Sequence, residues 1–303
     1  MRIAAIDIGT NTILLLIADV DADGCVAVIR DEHSIARLGK GVDRQRRIMP
    51  EAERRVVEIL RSHLAIAAAE GVQRVIAVGT SALRDAANRD DVLRVIRDQL
   101  GLEISVVSGE DEALLTYRGT LSGLSLPPDA KVAVLDIGGG STEVTFGTPQ
   151  AIASHSSLDI GAVRLTERWW DGYPPSAEAL ARAREDLDAS LQQIRSEGSA
   201  ACWFGVAGTP TTLAAIGLGL PTFDRKAVDG HVLTRAFVER TVEALCTLPL
   251  PQLQSHPQIH PQRADIIVAG AMILAAVLRR YAIDEITVSA RGLRYGLALE
   301  AVK

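Results

Sequence analysis

The chain has 303 residues, of which 48% are hydrophobic and 23% charged, and a formal net charge of −6. These proportions are those of an ordinary globular protein of about two domains, and the net negative charge gives no reason to expect duplex nucleic acid or a membrane surface as partner. A polyanionic ligand would have to be gripped locally, and the 25 glycines are gathered in a few short stretches where such a grip could form.

Strands and helices alternate along the chain, which predicts an α/β protein. The start shows no charged region, apolar segment and cleavage site in signal-peptide order, so no export signal is expected. Ile3 to Ile6 reads as a short apolar strand running into Asp7-Ile8-Gly9-Thr10-Asn11-Thr12, and Ile13 to Val20 as a second strand. Arg44, Arg46, Arg47, Arg54 and Arg55 follow. Among 28 arginines and 4 lysines they form either a solvated face or a track for a long polyanion. Pro50 to Glu70 carries a helical stripe of Val56, Val57, Leu60 and Leu64, opened by Pro50 and closed by Gly71.

Arg74 to Val78 predicts a strand ending at Gly79-Thr80-Ser81, and Arg84 starts the helix beyond it. Arginine suits bidentate phosphate binding, with a solvated surface arginine as the plain alternative. Asp91 to Leu100 predicts a helix and Glu103 to Val107 a strand. That strand ends in Ser108-Gly109-Glu110-Asp111-Glu112, which places three acids at the opening of a helix over 113–119. The helix dipole favours acids there, and the sequence leaves open which of them faces a ligand.

The second half repeats this plan. Val132-Ala133-Val134-Leu135-Asp136-Ile137-Gly138 matches Ile3-Ala4-Ala5-Ile6-Asp7-Ile8-Gly9 at an offset of 129 residues, and Gly208-Thr209 matches Gly79-Thr80 at the same offset. Val288-Ser289 pairs with Val107-Ser108 after an insertion. A duplicated domain is expected, with a boundary near Ser125-Leu126-Pro127-Pro128-Asp129, giving domains at 1–125 and 126–303 whose glycine turns face a common cleft.

Gly138-Gly139-Gly140-Ser141-Thr142 follows a strand, where residues without Cβ let backbone N–H groups approach phosphate oxygens closely and Ser141 and Thr142 add hydroxyls. Thr10, Asn11 and Thr12 occupy the matching turn of the first half. Asp7 and Asp136 end their strands where open α/β sheets place ligand groups, positioned to hold a divalent cation or to cap the turn that follows. Glu143 would point to the same strand face as Ser141. The longest apolar run, Ile266 to Leu278, is 13 residues long, too short for a bilayer, and reads as a buried helix. His231, His256 and His260 show no ligand or triad spacing. Cys25, Cys202 and Cys246 form no CxxC pair, which points to a reducing cytoplasm.

Six ordered motifs resemble those of the exopolyphosphatase/guanosine pentaphosphate phosphatase (Ppx/GppA) family. They are Asp7 to Thr12, Gly79 to Ala86, Ser108 to Ala113, Asp136 to Glu143, Gly161-Ala162-Val163-Arg164-Leu165, and Gly208-Thr209-Pro210-Thr211-Thr212-Leu213-Ala214. The resemblance implies two ribonuclease-H-like domains of the actin-like, sugar-kinase-like ATPase superfamily around a cleft, a homodimer, and hydrolysis of a terminal phosphoryl group with Mg²⁺ or Mn²⁺. Carried over by position, Glu112 matches the catalytic base, Glu143 the second catalytic glutamate and Asp136 the carboxylate beside it. Thr10 to Thr12 and Gly138 to Ser141 match the phosphate loops, and Arg84, Gly208 and Thr209 further anion contacts. Two departures stand out. The carboxy-terminal HD-type helical extension of longer members is not expected beyond Lys303, and Tyr295 stands where an acid is expected.

The function expected is release of terminal phosphate from linear inorganic polyphosphate. Guanosine pentaphosphate is the rival substrate. A kinase or ATPase of the same fold, and an alarmone sensor without turnover, are the alternatives of other classes. The Ser-Gly-x-x-Glu-Ala motif and the absence of a sugar or acyl acceptor motif argue against the first, and the presence of both Glu112 and Glu143 against the second.

Overall fold

Residues 1–194 and 200–302 are described in this computed structural model, so Lys303, the last residue of the expected second domain, lies outside the described residues. The chain divides into two compact units, Met1–Ser125 with Arg291–Lys303, and Leu126–Ala290. None of the described helices is long and apolar enough to cross a membrane.

The first unit runs β1 (Arg2–Ile8), β2 (Thr12–Val20), β3 (Val26–Ile35), α1 (Val42–Gln45), α2 (Pro50–Ala69), β4 (Arg74–Gly79), α3 (Ser81–Asp85), α4 (Arg89–Leu100), β5 (Ser105–Val106) and α5 (Gly109–Leu121). Its sheet has the order β3-β2-β1-β4-β5, with β1 antiparallel to β2 and parallel to β4. β1 is covered on both faces, which is why it reads as an unbroken apolar run. Ala4, Ile6 and Ile8 pack with Val56 and Leu60 of α2 and Val92 and Ile96 of α4. Ile3 and Ala5 point the other way and pack with Leu115 of α5. By strand alternation Asp7 lies on that second face.

The second unit runs β6 (Val132–Ile137), β7 (Thr142–Gly147), β8 (Ile152–Leu158), α6 (Ala162–Trp169), α7 (Ala177–Leu191), β9 (Cys202–Val206), α8 (Gly208–Gly217), α9 (Arg225–Val228), β10 (Val232–Thr234), α10 (Arg235–Cys246), α11 (Leu250–Gln254), α12 (Ile267–Arg280) and β11 (Glu285–Val288). Its sheet order is β10-β11-β9-β6-β7-β8. Without the edge strand β10, that order repeats the first sheet strand for strand, the duplicated ribonuclease-H-like design. α12 is the expected buried helix, with every residue from Ile267 to Leu278 buried.

Three details differ from the sequence reading. The strand β3 carries no apolar alternation strong enough to be noticed, because its central residues are exposed. Register places Val78 opposite Asp7 and Val206 opposite Asp136, an offset of 128, so the match of Gly79-Thr80 to Gly208-Thr209 at 129 is one residue out of register. The extra residue is Ala207, which takes a left-handed φ of 70°.

The third difference is a correction to the domain at 126–303. The last helix, α13 (Leu293–Glu300), belongs to the first unit. Its glycines explain why. A Cβ on Gly119 of α5 would lie 2.1 Å from the Gly292 carbonyl oxygen, and one on Gly296 would lie 2.0 Å from that of Leu115, so α13 and α5 meet almost backbone to backbone. Leu293, Tyr295 and Leu297 fill the face of β1 and β2 that carries Ile3 and Leu16. Tyr295 is fully buried, with the guanidinium groups of Arg291 and Arg294 5.3 Å and 5.4 Å from its ring centre. Arg294 in turn holds buried Asp31 through two hydrogen bonds of 3.0 Å. An aromatic ring, where an acid was expected, thus completes the packing of this helix.

Candidate active site

The turns after β1 and β6 are built alike. Gly9 N–H donates to the Thr12 carbonyl and Gly138 N–H to the Ser141 carbonyl, each at 3.0 Å. In the first turn the Asn11 carbonyl accepts from Ala36 and Arg37 N–H, both at 2.9 Å, and the Thr10 carbonyl accepts from Gly39 at 2.8 Å. In the second, the Gly138 carbonyl accepts from Ala162 at 3.0 Å, and that of Gly139 from Val163 at 2.8 Å and Arg164 at 3.1 Å. The Gly140 carbonyl accepts from Arg164 Nε at 2.7 Å. The carbonyls are therefore all turned into the protein. The N–H groups of Gly139, Gly140 and Ser141 enter no hydrogen bond among the described residues, which leaves them as donors. A concavity of successive N–H groups suits an anion.

A glycine beneath each turn permits this closeness. A Cβ on Gly161 would lie 2.5 Å from the Gly139 carbonyl group and 2.6 Å from Gly140 N, and one on Gly39 would lie 2.2 Å from Thr10 Cγ2. The buried Asn11 Nδ2 has no hydrogen-bond partner among the described residues. Such an orphaned donor costs free energy unless a ligand accepts from it.

In the first unit, burial resolves the three acids at the start of α5. Ser108 caps the helix, its Oγ accepting from Asp111 N–H at 3.1 Å and donating to the Asp111 carboxylate at 2.7 Å. Glu110 and Asp111 are exposed, whereas Glu112 is buried. Arg84, on α3, donates from Nη1 to Glu112 Oε2 at 2.9 Å and to the Val107 carbonyl at 3.1 Å. Burial pushes the Glu112 carboxyl above the ordinary glutamate range, and the Arg84 hydrogen bond and charge only partly offset this. A carboxylate tuned upward is suited to accept a proton from water near neutral pH.

In the second unit, Asp136 and Glu143 are direct cross-strand partners on β6 and β7. They lie on the face opposite Leu135 and Val144, away from the large apolar cluster. Ser157 of the adjacent β8 donates to Glu143 Oε1 at 2.7 Å. Two carboxylates directly opposite one another repel when both are ionised. In the first unit Asp7 faces Leu14 instead, so no such pair forms there. Among the described residues no group of three or more His, Cys, Asp or Glu stands ready to hold a metal alone. Mg²⁺ needs only one or two carboxylates when it is shared with substrate phosphates, and Asp136 with Glu143 fits that donor set.

Gly208 and Thr209 open α8 at the end of β9, beside β6. Their neighbour is a residue that the sequence does not single out. A Cβ on Gly208 would lie 1.2 Å from Arg263 Nη1, so the Arg263 guanidinium rests directly on the glycine. Burial pushes its pKa down to about 10. Arg263 closes a short 3₁₀ turn, Pro261–Arg263, with no spacing relation to any motif, so no sequence signal marks it. Of the expected residues, Asp7, Thr10, Asn11, Thr12, Arg84 and Glu112 are held by the first unit. Asp136, Gly138, Gly139, Gly140, Ser141, Glu143, Gly208 and Thr209 are held by the second.

The model of the Ppx/GppA phosphatase family matches residues 16–303. The chain is 37% identical over 314 residues to exopolyphosphatase 2 of Mycobacterium tuberculosis, with 98% of each chain covered. The crystal structure of an exopolyphosphatase-like protein superposes with a TM-score of 0.94 at 32% identity, covering 99% of this chain and 97% of that one. The crystal structure of the Aquifex aeolicus Ppx/GppA family member does so with a TM-score of 0.83 at 32% identity, covering 100% and 97%.

Proposed function

The chain belongs to the Ppx/GppA phosphatase family, whose members hydrolyse phosphoanhydrides, and we propose that its own reaction is release of the terminal phosphate from linear inorganic polyphosphate. The observation that carries the residue assignment is the buried Glu112 carboxylate, raised in pKa by burial yet held in place by Arg84 at 2.9 Å. Glu112 takes a proton from a water molecule as the water oxygen attacks the terminal phosphorus. The bond from that phosphorus to the bridging oxygen breaks, and the bridging oxygen stays on the shortened chain.

Phosphoryl transfer depends mostly on positioning and on stabilising charge on the transferred group. The N–H groups of Gly139, Gly140 and Ser141 donate to phosphate oxygens, and the Asn11 amide does the same from its own turn. Arg84 keeps the Glu112 carboxylate oriented. Asp136 and Glu143 would hold Mg²⁺, with Ser157 orienting Glu143; bound there, the ion would neutralise phosphate charge. The experiment is a time course of polyphosphate chain length. Orthophosphate with chains shortened from their ends is the expected result, and mid-chain fragments would overturn the reading.

A further inference from the structure

We propose that Lys40, Arg44, Arg46, Arg47 and Arg54 form a track that binds the inner, non-reacting phosphates of a linear polyphosphate. The proposal rests on the reading of the protein as a polyphosphatase, and it adds which surface would favour a long chain over a nucleotide. From Arg37 to Arg55 the sequence holds seven cations against three acids, Asp43, Glu51 and Glu53, in a chain whose net charge is −6.

The five side chains are exposed, and among the described residues none enters an ion pair or side-chain hydrogen bond. Exposed arginines elsewhere are commonly matched: Arg30 with Glu32 and Glu70, Arg94 with Asp91, Arg118 with Glu300, Arg182 with Glu178, and Arg235 with Asp284. Among the described residues Arg61, Arg184, Arg240 and Arg280 also lack an acid, but they are spread over four helices, α2, α7, α10 and α12. Among the described residues, only at 40–54 do unmatched cations gather. Their mutual repulsion is unfavourable and would be relieved by a polyanion laid across them.

The backbone beneath them is fixed and joined to the first unit's site at both ends. Gly39 N–H donates to the Thr10 carbonyl at 2.8 Å, and Val42 N–H to the Gly39 carbonyl at 3.0 Å. On the far side Ala87 N–H donates to the Arg46 carbonyl at 2.7 Å. Ile48 N–H donates to Asn88 Oδ1 at 2.8 Å, and Asn88 Nδ2 returns a bond to the Ile48 carbonyl at 3.0 Å. Ala87 and Asn88 lie two and three residues past the end of α3, the helix that carries Arg84. Arg46 holds a left-handed φ of 53° without being glycine, closed by its N–H bond to the Val42 carbonyl at 2.8 Å. The segment thus runs from the Thr10 turn to the Arg84 helix, with guanidinium forks, matched to phosphate oxygens, on its outside.

The test compares the full-length protein with a variant in which all five residues are glutamine, on long-chain polyphosphate and on tripolyphosphate, across a salt series. The ratio of the long-chain KM to the tripolyphosphate KM is expected to rise by about tenfold or more, with kcat on long chains held within about twofold. Because each lost cation–phosphate contact removes part of the counterion release, the log–log salt dependence of the long-chain KM should become shallower by about 3. An equal rise in KM for both substrates, or no rise, overturns the track. Should the unaltered protein release no phosphate from either substrate, the polyphosphatase reading has failed, and equilibrium binding of end-labelled polyphosphate decides the track by itself. Binding lost in the variant supports it, and binding retained overturns it.

Discussion

One nitrogen of Arg84 bonds both the Glu112 carboxylate, at 2.9 Å, and the Val107 carbonyl, at 3.1 Å. The arginine thereby ties α3 to the segment entering α5 and to the one buried acid of that helix's first turn. It sets the orientation and the charge of Glu112 together, so variants at the two positions should be separable by their kinetics.

Replacing Glu112 by glutamine keeps the shape and a hydrogen-bond acceptor for Arg84 but removes the proton acceptor. Turnover should fall by roughly 10² to 10⁴, as when a general base is lost. The KM should stay close to that of the unaltered protein. Steady-state kinetics on polyphosphate check this, and near-normal turnover would remove Glu112 from the role.

The pH dependence follows from the direction of the Glu112 shift. Burial raises its pKa and Arg84 lowers it, with burial the larger effect. The ionised form is the active base, so kcat/KM should fall as pH drops through a pKa above the ordinary glutamate range. In Arg84→Met the lowering influence is gone, and the acid limb of the profile should move to still higher pH. A limb that stays put, or moves down, would show that Glu112 does not set it.

Gly161→Ala would place a methyl group 2.5 Å from the Gly139 carbonyl group, against backbone that cannot swing aside as a side chain would. Overpacking of this kind costs about 1 to 3 kcal/mol. The denaturation midpoint should drop and the KM rise as the phosphate turn shifts. Gly172→Ala, whose Cβ would meet nothing within 4 Å, serves as the control and should change neither.

Asp136 and Glu143 oppose one another across β6 and β7, and Ser157 steadies the latter at 2.7 Å. Asp136→Asn removes the repulsion along with a ligand. The variant should need more Mg²⁺ for half-maximal activity, and Mg²⁺ should raise its melting temperature less than that of the unaltered protein. Ser157→Ala should show a weaker form of the same change, of about tenfold in Mg²⁺ requirement, as expected for a partner that only orients a ligand. Unchanged Mg²⁺ dependence in both would place the ion elsewhere.

Much of this was legible in the sequence because it is local. The strand–turn pairs at Asp7 and Asp136 declare themselves through apolar runs broken by glycine, and their spacing reveals the repeat. What was not legible depends on packing between segments distant in sequence. Three adjacent acids look alike until α5 is laid against the sheet and buries Glu112 alone. Arg263 becomes notable only where its guanidinium rests on Gly208, 55 positions earlier. The home of α13 was hidden for the same reason, since the fit of Gly296 against Leu115 and of Gly119 against Gly292 is a property of two surfaces.

Orthophosphate release from long-chain polyphosphate and from guanosine pentaphosphate, measured in parallel with Mg²⁺ and with chelator, decides which reaction the protein performs. Mg²⁺-dependent release is expected, with a higher kcat/KM on polyphosphate and near-complete loss with chelator. Release from guanosine pentaphosphate alone, or equal rates with chelator, would contradict it.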